Sequence, residues 1–353
     1  MSNLLLAKPK LPPDFIDVSV GEPYIVKECL SKFVELDKGY FTPDKTSWEY
    51  PEPRGFKPLV DLLEDKYQAP VVITNGAKQA LGAAFYALHK MDKSRVGMKL
   101  PYWALIPPLA NAHGLDCAYT SPDVSNARKE CGPFSKRWEH DSYLLLAPNN
   151  PDGQCESLDL LKEAAANYKD ENIPFIHDAA YFTHTYLPPD YDLGPLGDMQ
   201  IFSASKMYGL SGLRLGYVVC HEASYASILQ EYMEMMTVGV SSISQQFLYN
   251  LLTWEKDYPT FAKDFENEAR GELLKAKKLM KAVPSEILEI PKNLEDIPGM
   301  FGWFKVGPNA NFLKAKVNVI DGNLFGMPGY IRMNLAIGTE KLAKVVARLC
   351  YQL

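Results

Sequence analysis

Lys206 is the residue whose neighbours could turn a charge into chemistry. It lies in Ser203-Ala204-Ser205-Lys206-Met207-Tyr208-Gly209-Leu210-Ser211-Gly212-Leu213-Arg214-Leu215-Gly216, directly after an apolar stretch, Gln200 to Ser203, that reads as a strand. Arginine grips a phosphate through two parallel N–H donors, and serine hydroxyls add more. Ser203, Ser205 and Arg214 therefore suit a phosphate together. A lysine beside a bound phosphate and a carbonyl suits a Schiff base, because its amine becomes nucleophilic once its charged form is disfavoured. A single lysine in a turn would be solvated; the grouping of two serines and an arginine with it argues for a site.

Five further groups have chemistry to offer. Thr74-Asn75-Gly76-Ala77-Lys78 marks a strand-to-helix turn, and a helix N-terminus offers free N–H groups and a positive dipole end to an anion. Trp103, after Pro101-Tyr102, offers a flat apolar face to another ring. Asn149-Asn150-Pro151-Asp152-Gly153 has the composition of a turn. Asp178, in Asp178-Ala179-Ala180-Tyr181, ends an apolar strand, where an aspartate commonly caps the next helix. Arg332, in Tyr330-Ile331-Arg332-Met333-Asn334, carries the planar fork that suits a carboxylate. His177 and His184 stand seven apart across a strand end, a poor metal pair, and each reads as a structural histidine. No G-x-G-x-x-G follows a strand, and neither G-x-x-x-x-G-K-[ST] nor H-E-x-x-H occurs. No metal ligand set is expected.

The pattern S-x-S-K-x-x-G-x-x-G-x-R-x-G resembles the lysine motif of the fold-type I, class I/II aminotransferases, which use pyridoxal phosphate, and the other segments follow in family order from Gly21 to Arg332. The resemblance implies that Lys206 holds the cofactor. It places the cofactor phosphate on Gly76, Ala77 and Lys78, with Ser203, Ser205 and Arg214. Trp103 would stack on the pyridine ring, Asp178 would pair with the protonated ring nitrogen, and Asn150 and Tyr181 would bond the phenolic oxygen. Arg332 would clamp the substrate α-carboxylate, beside Asn150 and the glycine turn at Gly21. Tyr50, upstream of Arg54-Gly55, resembles a tyrosine that reaches the phosphate across a dimer interface, so a homodimer is expected. The implied reaction moves an amino group between an L-amino acid and a 2-oxo acid by a ping-pong route. A C–S lyase, a decarboxylase or a cyclase would use the same residues, and a non-catalytic sensing protein is a further alternative.

The elements that must position these residues alternate. Val71 to Thr74, Arg95 to Leu100, Tyr143 to Ala147, Pro174 to Asp178, Gln200 to Ser203 and Arg214 to Cys220 read as strands. Helices are expected over Ala77 to Lys90, Trp103 to His113 and Ser157 to Tyr168. This is an α/β pattern with a mostly parallel mixed sheet flanked by helices. A long helical stretch, Ser241 to Ala282, is followed by strands near Gly302 to Val306 and Tyr330 to Leu335 and by a closing helix, Glu340 to Leu353. A large cofactor-binding domain over residues 41–240 is therefore expected, with 1–40 and 241–353 forming a smaller α+β unit.

Composition bounds the alternatives. The 353 residues carry 37 Lys plus Arg and 43 Asp plus Glu, a net charge of −6, which argues against a nucleic-acid partner that would need a basic face. No apolar run approaches the roughly 20 residues that span a bilayer. The apolar block Leu4 to Ala7 is too short for a signal-peptide core. The six cysteines, at 29, 117, 131, 155, 220 and 350, follow no zinc or disulfide spacing. A cytoplasmic location with free thiols is expected.

Overall fold

The computed structural model describes residues 11–33, 49–120, 140–183, 185–187, 191 and 194–351. Seven strands build the main sheet: β1 (Val71–Thr74), β2 (Arg95–Lys99), β3 (Asp116–Thr120), β4 (Ser142–Leu146), β5 (Phe175–Asp178), β6 (Met199–Ser203) and β7 (Gly216–Cys220). Their order is β1-β7-β6-β5-β4-β2-β3, and only β7 runs against its neighbours. Strands β1, β4, β5 and β6 are buried at every position, which is why they read as largely apolar runs rather than as alternating ones, with Thr74, Ser142, His177, Asp178, Gln200 and Ser203 as their buried polar members. Helix α1 (Ala77–Lys90) packs on this sheet through Ala80, Leu81, Ala83, Ala84 and Phe85.

A second, antiparallel sheet is built from β8 (Phe301–Val306), β9 (Ile320–Asp321) and β10 (Tyr330–Asn334), with Leu288–Glu289 at its far edge. The N-terminal segment joins this part of the chain. Ile16–Asp17 pairs with Val317–Asn318, and the Asn334 backbone N–H donates to Val18 O at 2.7 Å.

Several expected boundaries shift, each for a local reason. The stretch Ser241 to Ala282 is two helices, Ser242–Asp257 and Pro259–Met280, because Pro259 has no N–H to continue the first and instead opens the second. The helix expected from Trp103 begins at Ile106, where Pro107 and Pro108 fall in its first turn. The strand expected from Arg214 begins at Gly216, since Arg214 has φ 54° and ends a short 3-10 turn. The closing helix spans Thr339–Cys350. The edge strand β3 and the helices Tyr24–Phe33 and Lys57–Tyr67 are not among the expected elements, although both helices bury apolar residues at helical spacing, Ile25, Val26, Cys29 and Leu30 in one and Leu59, Val60 and Leu63 in the other. Cys131, His184 and the Leu4–Ala7 block lie outside the described residues.

Candidate active site

The carboxyl ends of β1, β2, β4, β5 and β6 open onto one cavity of about 680 Å³. Ligands of open α/β sheets bind at this edge, outside the strand ends. Antiparallel β7 starts there, with Gly216 in register between Thr74 and Ser203. That register sets the turn after β1, the turn after β6 and Arg214 side by side. Gly216 permits the approach: a Cβ on it would lie 2.6 Å from Phe202 O and 2.9 Å from the Gly76 carbonyl carbon.

One part of the wall is cationic. Ala77, Lys78, Ser203, Ser205 and Arg214 line it. Gly76 caps α1 at φ 78° with no side-chain acceptor, and a Cβ there would meet Arg214 Nη2 at 2.9 Å. Gly76 is therefore the support against which the guanidinium rests. Lys78 Nζ stands 5.8 Å from the centre of the Trp103 ring, and burial, with Arg214 beside it, holds its pKa below the ordinary lysine value. Among the described residues no carboxylate forms an ion pair with Lys78 or Arg214. Two uncompensated cations at a helix N-terminus make a seat for a phosphate.

Lys206 follows β6 and is half-buried, with its amine turned into the cavity. Its Nζ donates to Gly21 O and lies 6.0 Å from the centre of the Tyr181 ring. Burial, opposed by Glu22 and aided by Arg332 and Arg214, brings its pKa down to about 8. Both cationic groups thus act on the same amine. Asp178 ends β5; its Oδ1 accepts from the Ala180 N–H at 3.0 Å, and no helix follows for it to cap. Burial pushes its carboxyl up to about 7, with no cation paired to it among the described residues. A cation brought beside Asp178 would restore its charge. Tyr181 is buried and stays protonated, its hydroxyl accepting from Asn150 Nδ2 at 3.0 Å.

Arg332, on β10, is the most demanding group. Its guanidinium is buried between two rings, 4.4 Å from the centre of Phe301 and 5.2 Å from that of Phe325. Nη1 donates to Asn150 Oδ1 at 2.8 Å and Nη2 to Ser19 O at 2.5 Å, while buried Nε has no partner. No carboxylate compensates it among the described residues, and burial draws its pKa down to about 10. A buried charge without a counter-charge is costly, so the cavity favours an anion here.

Twelve of the residues singled out from the sequence line this cavity: Gly21, Ala77, Lys78, Trp103, Asn150, Asp178, Tyr181, Ser203, Ser205, Lys206, Arg214 and Arg332. Gly76 backs the wall. Tyr50 does not reach the cavity of its own chain; its side chain is 90% exposed on the surface. The neighbouring Tyr102 stacks on Tyr119 at 5.1 Å, and Asn149 donates to Pro101 O at 3.0 Å, so each is structural beside its functional neighbour. His177 is structural too: its Nε2 is 3.0 Å from Ala147 O, and burial pulls its pKa down to about 4.

Sequence reasoning missed Ser19, Glu22, Phe301 and Phe325. Glu22 stands next to Gly21 and accepts from Ser211 Oγ at 2.5 Å, tying the N-terminal segment to the lysine turn. Its place in Gly21-Glu22-Pro23 was the available signal. The two phenylalanines carried none, since only tertiary structure brings them to Arg332: Phe301 by the pairing of β8 with β10, and Phe325 by the 3-10 turn that follows β9.

The family model described as aminotransferase class I and II matches residues 22–349. Tryptophan aminotransferase-related protein 2 of Arabidopsis thaliana is 27% identical over 81% of this chain, which spans 64% of that protein's length, less than two thirds. A probable aspartate/prephenate aminotransferase of Aquifex aeolicus is 25% identical over 95% of this chain and 90% of its own. Among solved structures, a double mutant of Thermus thermophilus aspartate aminotransferase superposes with a TM-score of 0.77, at 20% identity, over 96% of this chain and 92% of its own. The tyrosine aminotransferase of Leishmania infantum superposes with a TM-score of 0.73, at 17% identity, over 96% of this chain and 91% of its own.

Proposed function

The chain belongs to the class I and II aminotransferase family, and from that membership and the cavity's chemistry we propose a pyridoxal-phosphate-dependent transfer of an amino group between an amino acid and a 2-oxo acid. One observation carries the reading: the buried amine of Lys206 lies in a cavity with two uncompensated cationic groups, Lys78 with Arg214 and Arg332. A phosphate ester and an amino-acid carboxylate are anions of the sizes these groups suit.

Pyridoxal phosphate fits the residues present. Gly76, Ala77, Lys78, Ser203, Ser205 and Arg214 would hold its phosphate, Trp103 its ring face, Asp178 its ring nitrogen, and Asn150 and Tyr181 its phenolic oxygen. When bound, it supplies a carbonyl to which amines add and a conjugated ring that accepts the electrons of a broken Cα–H bond. Arg332 holds the substrate α-carboxylate with its planar fork, oriented by Asn150 and Ser19. Lys206 Nζ, with its pKa near neutrality, takes the proton from the substrate Cα as general base and returns it as general acid. Ionised Asp178 keeps a proton on the group it faces, and the Tyr181 hydroxyl donates without losing its own. The chain Arg332–Asn150–Tyr181 fixes these groups relative to one another, so carboxylate binding and ring binding share one scaffold.

The seven-stranded sheet, within residues 41–240, would hold the cofactor, and the remainder would bring Arg332 and Gly21 to the substrate. The exposed Tyr50 would serve the phosphate of a second copy in a homodimer. The described cysteines form no disulfide, in keeping with a cytoplasmic enzyme.

Two measurements test the reading. Enzyme carrying the cofactor, mixed with single amino acids, should change its visible absorbance to that of the aminated cofactor and stop after one turnover; a 2-oxo acid should restart it. Continued turnover without any 2-oxo acid would mean a lyase or decarboxylase. The second measurement uses pH. Lys206 is depressed to about 8, so its amine is neutral above that pH and protonated below. The rate at which added pyridoxal phosphate bonds to cofactor-free protein should therefore rise as pH climbs through about 8. A flat profile from pH 6 to 10 would remove Lys206 from this role.

A further inference from the structure

We infer that the side-chain part of this cavity takes a neutral, apolar amino-acid side chain and not a second carboxylate, an inference that rests on the aminotransferase reading of the site. The wall beside Arg332 comes from β9 and the turn after it. Ile320 lies directly opposite Arg332 in the antiparallel pairing. The turn packs back onto the segment that carries Trp103: the Tyr102 N–H donates to Phe325 O at 3.4 Å, and a Cβ on Gly326 would stand 2.6 Å from Leu100 Cδ2. Two distant stretches are thereby closed into one wall, made of Trp103, Leu105, Val319, Ile320, Leu324 and Phe325. Phe325 is filled in behind Arg332, but Leu324 is 38% exposed and Leu105 and Ile320 are only half-buried. Apolar groups left partly open inside a cavity gain by being covered with apolar surface.

Charge points the same way. The described cations that line the cavity are Lys78, Lys206, Arg214 and Arg332. Lys78 and Arg214 form the phosphate seat, Lys206 is the reacting amine, and Arg332 takes the α-carboxylate. Among this chain's own described residues a second carboxylate would find none of them free. It would instead face Asp321, which is exposed on this wall and accepts from the Asn323 N–H at 2.8 Å. An unpaired carboxylate withdrawn from water beside a like charge is strongly disfavoured.

The test compares amino acids on the cofactor-loaded enzyme. Phenylalanine and leucine should exceed aspartate and glutamate in kcat/KM by about tenfold or more, the scale on which pockets discriminate side chains. Leu324→Arg places a cation on this wall at a partly exposed position. It should lower kcat/KM for phenylalanine and raise it for aspartate, with the cofactor absorbance unchanged. Equal or greater turnover of aspartate, glutamate, lysine or arginine by the parent protein overturns the inference, and so does an unchanged ratio in the variant. Should no amino acid react, the aminotransferase reading fails on its own, and equilibrium binding still decides the side-chain preference. Tighter binding of 3-phenylpropanoate than of succinate supports it; equal or tighter binding of succinate overturns it.

Discussion

Lys206→Ala is expected to fold, to keep the cofactor and to lose at least about 10³-fold in transamination rate. Folding should survive because the change removes a buried amine together with its desolvation cost. The main loss is the donor to Gly21 O, one hydrogen bond of about 1 kcal/mol. Retention of the cofactor follows from the spread of its contacts, since Arg214, Lys78 and the start of α1 are separate from Nζ. The rate loss is large because no other described side chain in the cavity offers an amine placed to act on both the cofactor and the substrate Cα. Lys78, the other lysine of the wall, lies over the Trp103 ring in the phosphate seat, with the like charge of Arg214 beside it. The measurement is single-turnover absorbance with a saturating amino acid, together with a titration of cofactor binding. A variant that turned over at the parent rate would sink the assignment. One that neither folded nor bound cofactor would show that the amine is a structural post.

Arg332→Lys is expected to raise KM for the amino acid about 10²-fold while cofactor affinity barely moves. Arginine here does three things that an ammonium cannot do together. It stands over the Phe301 and Phe325 rings, donates to Asn150 and Ser19, and keeps Nε available. Lysine keeps the charge but loses the plane and the fork, and a broken buried charge contact costs about 3 kcal/mol, roughly 10²-fold. Asn150 would also lose its donor, so the ring-side contact through Tyr181 should weaken, seen as a smaller drop in kcat. The distinguishing outcome is where the effect falls. Loss of cofactor with an unchanged substrate KM would move Arg332 to the cofactor side of the cavity.

Most of the cofactor end was legible in the chain. Most of its residues sit two to four positions beyond a largely apolar strand, in a turn whose chemistry is local. Gly76-Ala77-Lys78 follows β1, Asn150 follows β4, and Ser205 and Lys206 follow β6. Strands buried on both faces are mostly apolar, so their ends mark themselves. Once the strands are parallel, those ends share one edge of the sheet. The fold class was legible for the same reason. Short edges were not: β3 is held by one neighbour, and its residues, Asp116-Cys117-Ala118-Tyr119-Thr120, carry no unbroken apolar run.

The sequence by itself therefore determined the sheet, the turns and the types of group that stand at the turns, because each depends on residues within a few positions of one another. Only the tertiary structure decided how those groups act on each other. Arg332 reaches Asn150 across 182 positions of chain and Ser19 across 313. Lys206 meets Gly21 across 185. The apolar wall exists only because the turn after β9 folds onto the segment after β2. Burial is likewise a property of the whole: it is the cover supplied by distant segments that draws Lys206 down to about 8 and raises Asp178 to about 7. A residue's type is written locally, but its protonation, its partner and the side chain it will accept are set by what the rest of the chain packs around it.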